Sequence, residues 1–263
     1  MGVSVLLPLM RRFEFPGKRR LRLRLRLPAS GTETVRFPEG MTLRLDLSES
    51  LQRDFYAGLH DAFELTIVER LLAGGGDFVD VGAHVGLYSV HAGRLLRGRG
   101  RVLAFEPNPV ARRQLEENVR LNALDDVVVS PAAASSHAGE AALAVPETND
   151  PSFSTLEEPP FAPGDHLRVP VTTVDAEVER LGLAPAVVKI DVQDHELEVL
   201  AGMSRTLAEH APAVLVEVSA ATARPAAALL EGWRVQRVER RRLRDGLGEL
   251  SGWFNLLFVK DAG

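Results

Sequence analysis

From Asp77 to Lys260 the sequence alternates short apolar runs with longer amphipathic segments. "DFVDVG" reads as a strand, "GLYSVHAGRLL" as a helix and "RVLAFE" as a strand. "NPVARRQLEENVRLN" reads as a helix with Asn108 as its N-cap and Pro109 at its first position. "VVVS" is a strand and "AALAV" a further strand candidate. "AVVKID", "HELEVLAGM", "AVLVEVS" and "ATARPAAALLEG" then repeat the order strand, helix, strand, helix. Near-continuous apolar strands separated by helices require a parallel sheet covered on both faces. "WRVQRVER" and "WFNLLFVK" are two final strands joined by a charged loop. With no helix between them, they are expected to form an antiparallel hairpin at one edge of the sheet.

Upstream the pattern differs. "RRLRLRLRL", residues 19–27, alternates with period two, as does "MTLRLDL" from Met41. The turn-rich stretches "PASGTET" and "RFPEG" lie between them, so a small N-terminal β element over residues 1–50 is expected. Its arginines read as a solvated face. Residues 51–263 form the main α/β unit, opened by one helix from Leu51 to Leu72 and stopped by "AGGGD". Residues 146–165, "PETNDPSFSTLEEPPFAPGD", break the alternation; such a length suits either a lid or a disordered connection.

The turn after the first strand of the alternation is the candidate binding element. Asp80 ends that strand, and Gly82 and Gly86 open the next helix, where missing Cβ atoms let a ligand approach the backbone. Glu106, at the tip of the next strand, is placed to accept hydrogen bonds from the vicinal hydroxyls of a ribose. A dinucleotide fingerprint needs a middle glycine for the pyrophosphate, and here that position is His84. Together with Asp80, this argues against NAD. It argues for a nucleoside ligand with a cationic arm and no pyrophosphate, which S-adenosylmethionine is. The bland alternative is that these acids and glycines are turn chemistry alone.

A parallel sheet ending in an antiparallel hairpin resembles the class I methyltransferase variant of the Rossmann-like fold. That implies a mainly parallel seven-stranded sheet. More specifically, "FVDVGAHVGLYS", "VLAFEPNP", "LEENVRLN", "VKIDVQDHELEVLAGM", "VLVEVS" and "NLLFVK", in that order, resemble the FkbM-type S-adenosylmethionine-dependent methyltransferases. The resemblance implies methyl transfer, usually to a hydroxyl of a sugar or natural product. It also implies that Asp80, Gly82, Ala83, His84 and Gly86, with Glu106, Pro107 and Asn108, bind the cofactor. The stretch around Ala133 would line its adenine side. The sequence departs from the family at Asp191-Val192-Gln193-Asp194, where relatives usually read Asp-Val-Glu-Gly.

Methyl transfer to an alcohol needs alignment and a late proton acceptor. The candidates stand at strand ends on the carboxyl edge: Asp191, Glu217 and, one turn later, His195. His195 is the best base by type, because the reference pKa of an imidazole lies near working pH. Asp191 could instead take the proton or hold the cofactor's amino group. Asp191 and Glu217 could also share a divalent ion, although no His-rich ligand spacing supports a metal. Asp194 is a candidate helix cap. Lys189, inside an apolar strand, is expected to pair with Glu217 on the neighbouring strand.

Net charge is −5, so composition gives no reason to expect a nucleic-acid partner. There are no cysteines, which excludes disulfides, zinc-thiolate sites and thiol nucleophiles. No apolar run reaches the roughly 20 residues of a membrane span. "MGVSVLLPLMRR" has its charges after its apolar run, unlike a signal peptide. These features read as a cytoplasmic chain acting on a small-molecule acceptor, compatible with a homo-oligomer. Two rival readings stay open at this level. One is an NAD(P) oxidoreductase on a similar sheet; the other is a non-catalytic binding protein of the same fold.

Overall fold

A computed structural model describes residues 7, 10, 18, 20, 21, 27–59, 62–146, 154–157, 163–239 and 241–260. The chain runs through β1 (Thr32–Arg36), β2 (Thr42–Asp46), α1 (Ser50–Tyr56), α2 (Ala62–Leu71), β3 (Asp77–Val81), α3 (Leu87–Leu96), β4 (Val102–Phe105), α4 (Pro109–Leu121) and β5 (Val127–Ser130). It continues through β6 (Ala133–Ala134), β7 (Gly139–Pro146), β8 (Pro163–Thr172), α5 (Val174–Leu181), β9 (Pro185–Ile190), α6 (Glu196–Ala201), α7 (Ser204–His210) and β10 (Ala213–Ser219). It closes with α8 (Ala223–Leu229), β11 (Arg234–Glu239), β12 (Arg242–Asp245) and β13 (Trp253–Val259).

The main sheet has eight strands in the order β12-β11-β13-β10-β9-β3-β4-β5. β10, β9, β3, β4 and β5 are mutually parallel, and β13 runs antiparallel to both β10 and β11. This is the expected class I methyltransferase arrangement with one added strand. The addition, β12, comes from the charged loop between the last two expected strands. The final strand is therefore not at the edge: its apolar run Phe254 to Phe258 is inserted beside β10, and the polar β12 takes the edge.

Successive strand residues point to opposite faces. Phe78 and Ala104 accordingly enter one core cluster, while Val79, Val81, Leu103 and Phe105 enter the other. The first cluster also holds Met41, Leu43, Leu45 and Leu47 of the N-terminal hairpin, together with Phe55, Leu87 and Leu115. The hairpin thus shares the core of the α/β unit. The amide oxygens of Asn118 and Asn122 on α4 accept from the backbone N–H groups of Arg44 (2.7 Å) and Thr42 (2.9 Å), fastening it further.

Several local expectations are corrected. The helix expected over 51–72 is two helices. They are separated by a turn at Gly58, whose φ of 76° is one that glycine adopts without strain. The hairpin pairs β2 with β1, which lies in the stretch read as turn-rich. Of the alternating run 19–27, only Arg20, Leu21 and Leu27 are described, and Arg20 and Leu21 are helical. Leu and Arg are strong helix formers, so period two by itself did not decide a strand. An excursion between β5 and α5 forms a separate three-stranded sheet, β6-β8-β7. Residues 147–153 and 158–162 of the segment read as a lid or a disordered connection lie outside the described residues. Its middle, Ser154 to Glu157, is described, and Thr155 bridges to Ala144.

Candidate active site

The turn after β3 is built for close packing. Gly82 has φ 80°, and a Cβ there would lie 1.9 Å from the backbone oxygen of Asp191. Gly86, the N-cap of α3, has φ 92°, and its Cβ would lie 2.4 Å from Leu115 Cδ1. Both glycines are therefore demanded by contacts within the chain. His84 has φ 49°, in a region that histidine enters more readily than most residues. Gly82, Ala83 and His84 line a cavity of about 480 Å3 at the carboxyl edge of the main sheet; Gly86 stands behind them.

Glu106 follows β4 and is buried. Its Oε2 accepts the His84 N–H at 2.7 Å, and its Oε1 accepts the Asn108 N–H at 2.8 Å. One carboxylate thus ties the β3 turn to the β4 turn while lining the cavity. A carboxylate has about four lone-pair sites, so each oxygen retains capacity for a ligand hydroxyl. Burial raises the Glu106 pKa; the nearby His84 and the two backbone N–H groups oppose the rise. Asn108 caps α4 through Val110 N at 2.9 Å, as its sequence position implied. Pro107, Ala133 and Ala134 complete this end of the wall.

Asp80 lies deeper, among the buried residues of β3, and is not on the cavity wall. Its Oδ2 accepts from Ser89 Oγ at 2.5 Å, and its Oδ1 makes no hydrogen bond. Burial raises its pKa to about 6 against the pull of Lys189, its register partner on β9.

Lys189 is 2% exposed, and its Nζ lies 2.6 Å from Asp191 Oδ2 and 4.8 Å from the Tyr88 ring centroid. The expected partner was Glu217, which contributes more weakly than Asp191 and Asp80. The side-chain period of two places Lys189 and Asp191 on one face of the same strand end, which brings Asp191 nearer. Asp191 and Glu217 are hydrogen-bonded to each other and both line the cavity. Burial pushes the Asp191 carboxyl up. The Lys189 charge and the hydrogen bonds from Lys189 and Glu217 outweigh it and hold Asp191 below the usual carboxylate range. No group of three or more potential metal-ligating side chains occurs among the described residues.

His195 is buried on the cavity wall with both ring nitrogens engaged. Nδ1 lies 2.6 Å from Glu157 Oε1 and Nε2 lies 3.0 Å from Ser135 Oγ. Glu157 belongs to the segment that broke the sequence pattern. From that segment Thr155 Oγ1 also donates to the Gln193 carbonyl (2.8 Å), and Ser154 Oγ accepts from Asn108 Nδ2 (3.2 Å). Ser154, Thr155 and Leu156 line the cavity. Neither Glu157 nor Ser135 was foreseen as a partner of His195; the unusual acidic, Ser-rich composition of residues 146–165 was the available signal.

Gln193 and Asp194 both have left-handed backbone, with φ 51° and 73°. A glycine suits such a position, and aspartate is among the few other residues that enter it readily. Asp194 is exposed, does not line the cavity, and its backbone N–H donates to Glu196 Oε1 at 2.9 Å. It neither caps α6 through its side chain nor stands where a carboxylate at 193 would. Gln193 does line the cavity.

The methyltransferase FkbM domain matches residues 80–234, more than half of the chain and all of the turns just described. The chain belongs to this family. A ribosomal protein L11 methyltransferase of Bacillus cereus (strain Q1) is 36% identical over 93 residues, 35% of this chain and 28% of that protein. The chain therefore spans less than a third of that relative's length. The crystal structure of an FkbM methyltransferase from Methylobacillus flagellatus KT is 16% identical, with 93% of this chain and 58% of that one covered and a TM-score of 0.49. A SAM-dependent methyltransferase from Agrobacterium tumefaciens shares the fold at a TM-score of 0.53, with 10% identity and coverage of 89% and 72%. No helix among the described residues is long and apolar enough to cross a membrane.

Proposed function

We propose that this chain transfers a methyl group from S-adenosylmethionine to a hydroxyl of a small acceptor such as a sugar or natural product. The observation that carries the reading is the Glu106 carboxylate. It is fixed by two backbone N–H groups on a cavity whose volume lies within the range of small-molecule sites. The donor set fits the cofactor: Glu106 for the ribose hydroxyls, Ala133 and Pro107 for the adenine side, and Asp191 for a cationic arm. Family membership favours the methyl donor over a dinucleotide. When bound, S-adenosylmethionine supplies a methyl group on a sulfonium that needs no further activation.

The residues of the chain hold, orient and accept a proton. The Asp191–Glu217 pair, at the cavity end away from Glu106, takes the proton of the acceptor hydroxyl. Lys189 keeps Asp191 ionised. His195 already has a partner on each ring nitrogen and acts as the strut that fixes Glu157 and its segment against the wall. Calorimetric titration with S-adenosylhomocysteine and with NADH tests the reading, and binding of NADH alone would sink it. A methylation screen with sugar and polyketide acceptors, with and without a chelator, then identifies the acceptor class and any need for a metal.

A further inference from the structure

The N-terminal hairpin and α1 precede residues 80–234, the part that the FkbM domain matches, yet they reach the cavity. Ser50, Leu51 and Phe55 of α1 are among its lining residues. Glu49, the N-cap of α1, is buried and makes no capping bond with its side chain. Its Oε2 lies 3.4 Å from His84 Nε2 and accepts from Gln52 Nε2. Gln52 is fully buried, and its Oε1 accepts the Asp46 N–H of β2 at 2.7 Å and Gln114 Nε2 of α4 at 2.6 Å. A buried carboxylate is costly without partners. Glu49 has two, an amide tied to the hairpin and to α4, and the imidazole of the β3 turn.

His84 is also the residue whose backbone N–H fixes Glu106 Oε2 at 2.7 Å. It does so from a left-handed conformation, φ 49°, which a non-glycine residue keeps only where its surroundings hold it. Both of its ring nitrogens are buried and make no hydrogen bond, so the ring offers neither to a ligand; the charged group it meets is Glu49. One residue thus joins two carboxylates, Glu49 through its ring and Glu106 through its backbone. We infer that Glu49 is a positioning residue for the nucleoside: acting through His84, it holds the β3 turn so that Glu106 meets the ribose hydroxyls in a fixed orientation. The inference rests on the reading of Glu106 as the group that binds the ribose. Such preorganisation is read as affinity. It makes the N-terminal element, outside the family match, part of the cofactor site.

Displacement of tritiated S-adenosylhomocysteine by adenosine, and by its dideoxy analogue lacking both ribose hydroxyls, isolates what those hydroxyls contribute. The unmodified chain should prefer adenosine about ten-fold or more, as expected for hydrogen bonds to a charged acceptor. In Glu49→Ala that preference should fall to about two-fold, and S-adenosylhomocysteine should bind about five-fold more weakly. Glu49→Gln keeps the size of the side chain but not its charge; it should shift the preference in the same direction, and it is the variant to read if Glu49→Ala does not fold. His84→Ala should lower the preference as far, and the double variant with Glu49→Ala no further. Asn122→Ala loosens the hairpin through bonds to Thr42 and Asn118; it should lower thermal stability and leave the preference unchanged. A preference retained in both Glu49 variants, additive losses in the double variant, or an equal loss in Asn122→Ala overturns the inference. Failure of the unmodified chain to bind S-adenosylhomocysteine, or equal binding of the two nucleosides by it, defeats the ribose reading of Glu106 and the positioning role with it. Discrimination by the unmodified chain that survives in the Glu49 variants defeats the positioning role alone.

Discussion

Lys189 Nζ lies 2.6 Å from Asp191 Oδ2, two residues further along, at the end of the same buried strand. Removing one partner of a buried pair leaves the other charge uncompensated, at a cost of about 3–5 kcal/mol. Lys189→Met should therefore lower stability by about that amount, and adding Asp191→Asn should restore part of it. Urea denaturation of the single and double variants measures the coupling. Additive losses would show that the pair is not an interacting unit.

Stability should fall as pH rises from about 4 to about 7. Burial lifts Asp80 to about 6 and Glu196 to about 7, both above their unfolded values. The folded chain thus binds more protons than the unfolded chain in this window. The favourable term is complete below the unfolded pKa values and is lost as pH passes the folded ones. Each group contributes on the order of 3 kcal/mol at most. Asp191, held low, acts only below about pH 4 and leaves the window unaffected. Denaturant melts at pH 5 and pH 8 should show the drop, and Glu196→Gln should flatten it.

Gly82→Ala should prevent normal closure of the β3 turn, because the new Cβ meets the Asp191 backbone oxygen at 1.9 Å. A loss of at least about 3 kcal/mol is expected, against about 1 kcal/mol for Gly98→Ala. Gly98 has a comparable φ of 81° but no neighbour within 4 Å of a Cβ. Thermal unfolding of the two variants separates backbone strain from collision; equal losses would refute the packing role.

Glu106→Ala should weaken S-adenosylhomocysteine binding by roughly 1.5–3 kcal/mol, the loss of hydrogen bonds to a charged acceptor. Because burial raises the Glu106 pKa, affinity should also decline at a higher pH than for an ordinary glutamate as the solution is acidified. Calorimetry across pH checks both; unchanged affinity in the variant would remove Glu106 from the cofactor site.

Glu217→Gln should lower turnover by about 10²–10⁴ with cofactor affinity retained, as expected for loss of a proton acceptor. His195→Ala should instead cost about 1–3 kcal/mol of stability, since Glu157 and Ser135 lose their partner. A larger turnover loss at His195 than at Glu217, in the methylation assay, would return the role of base to the histidine.

Much of this protein is local, and local patterns are legible in a sequence. Apolar runs with turn glycines specified the parallel strands, Asn108-Pro109 specified a helix start, and Glu106 at a strand tip marked the sheet edge that carries the cavity. Period two even put Lys189 and Asp191 on one face, although the neighbouring strand was taken as the source of the partner. What no local pattern carries is contact between distant residues. Glu157 meets His195 across 38 positions, and Ser135 meets it across 60. Trp253 reaches the cavity because β13 is inserted beside β10, and the N-terminal hairpin joins the core because α4 asparagines hold its backbone. Periodicity fixes which face of an element is buried. Only the packed fold decides which charged and aromatic groups then share a wall.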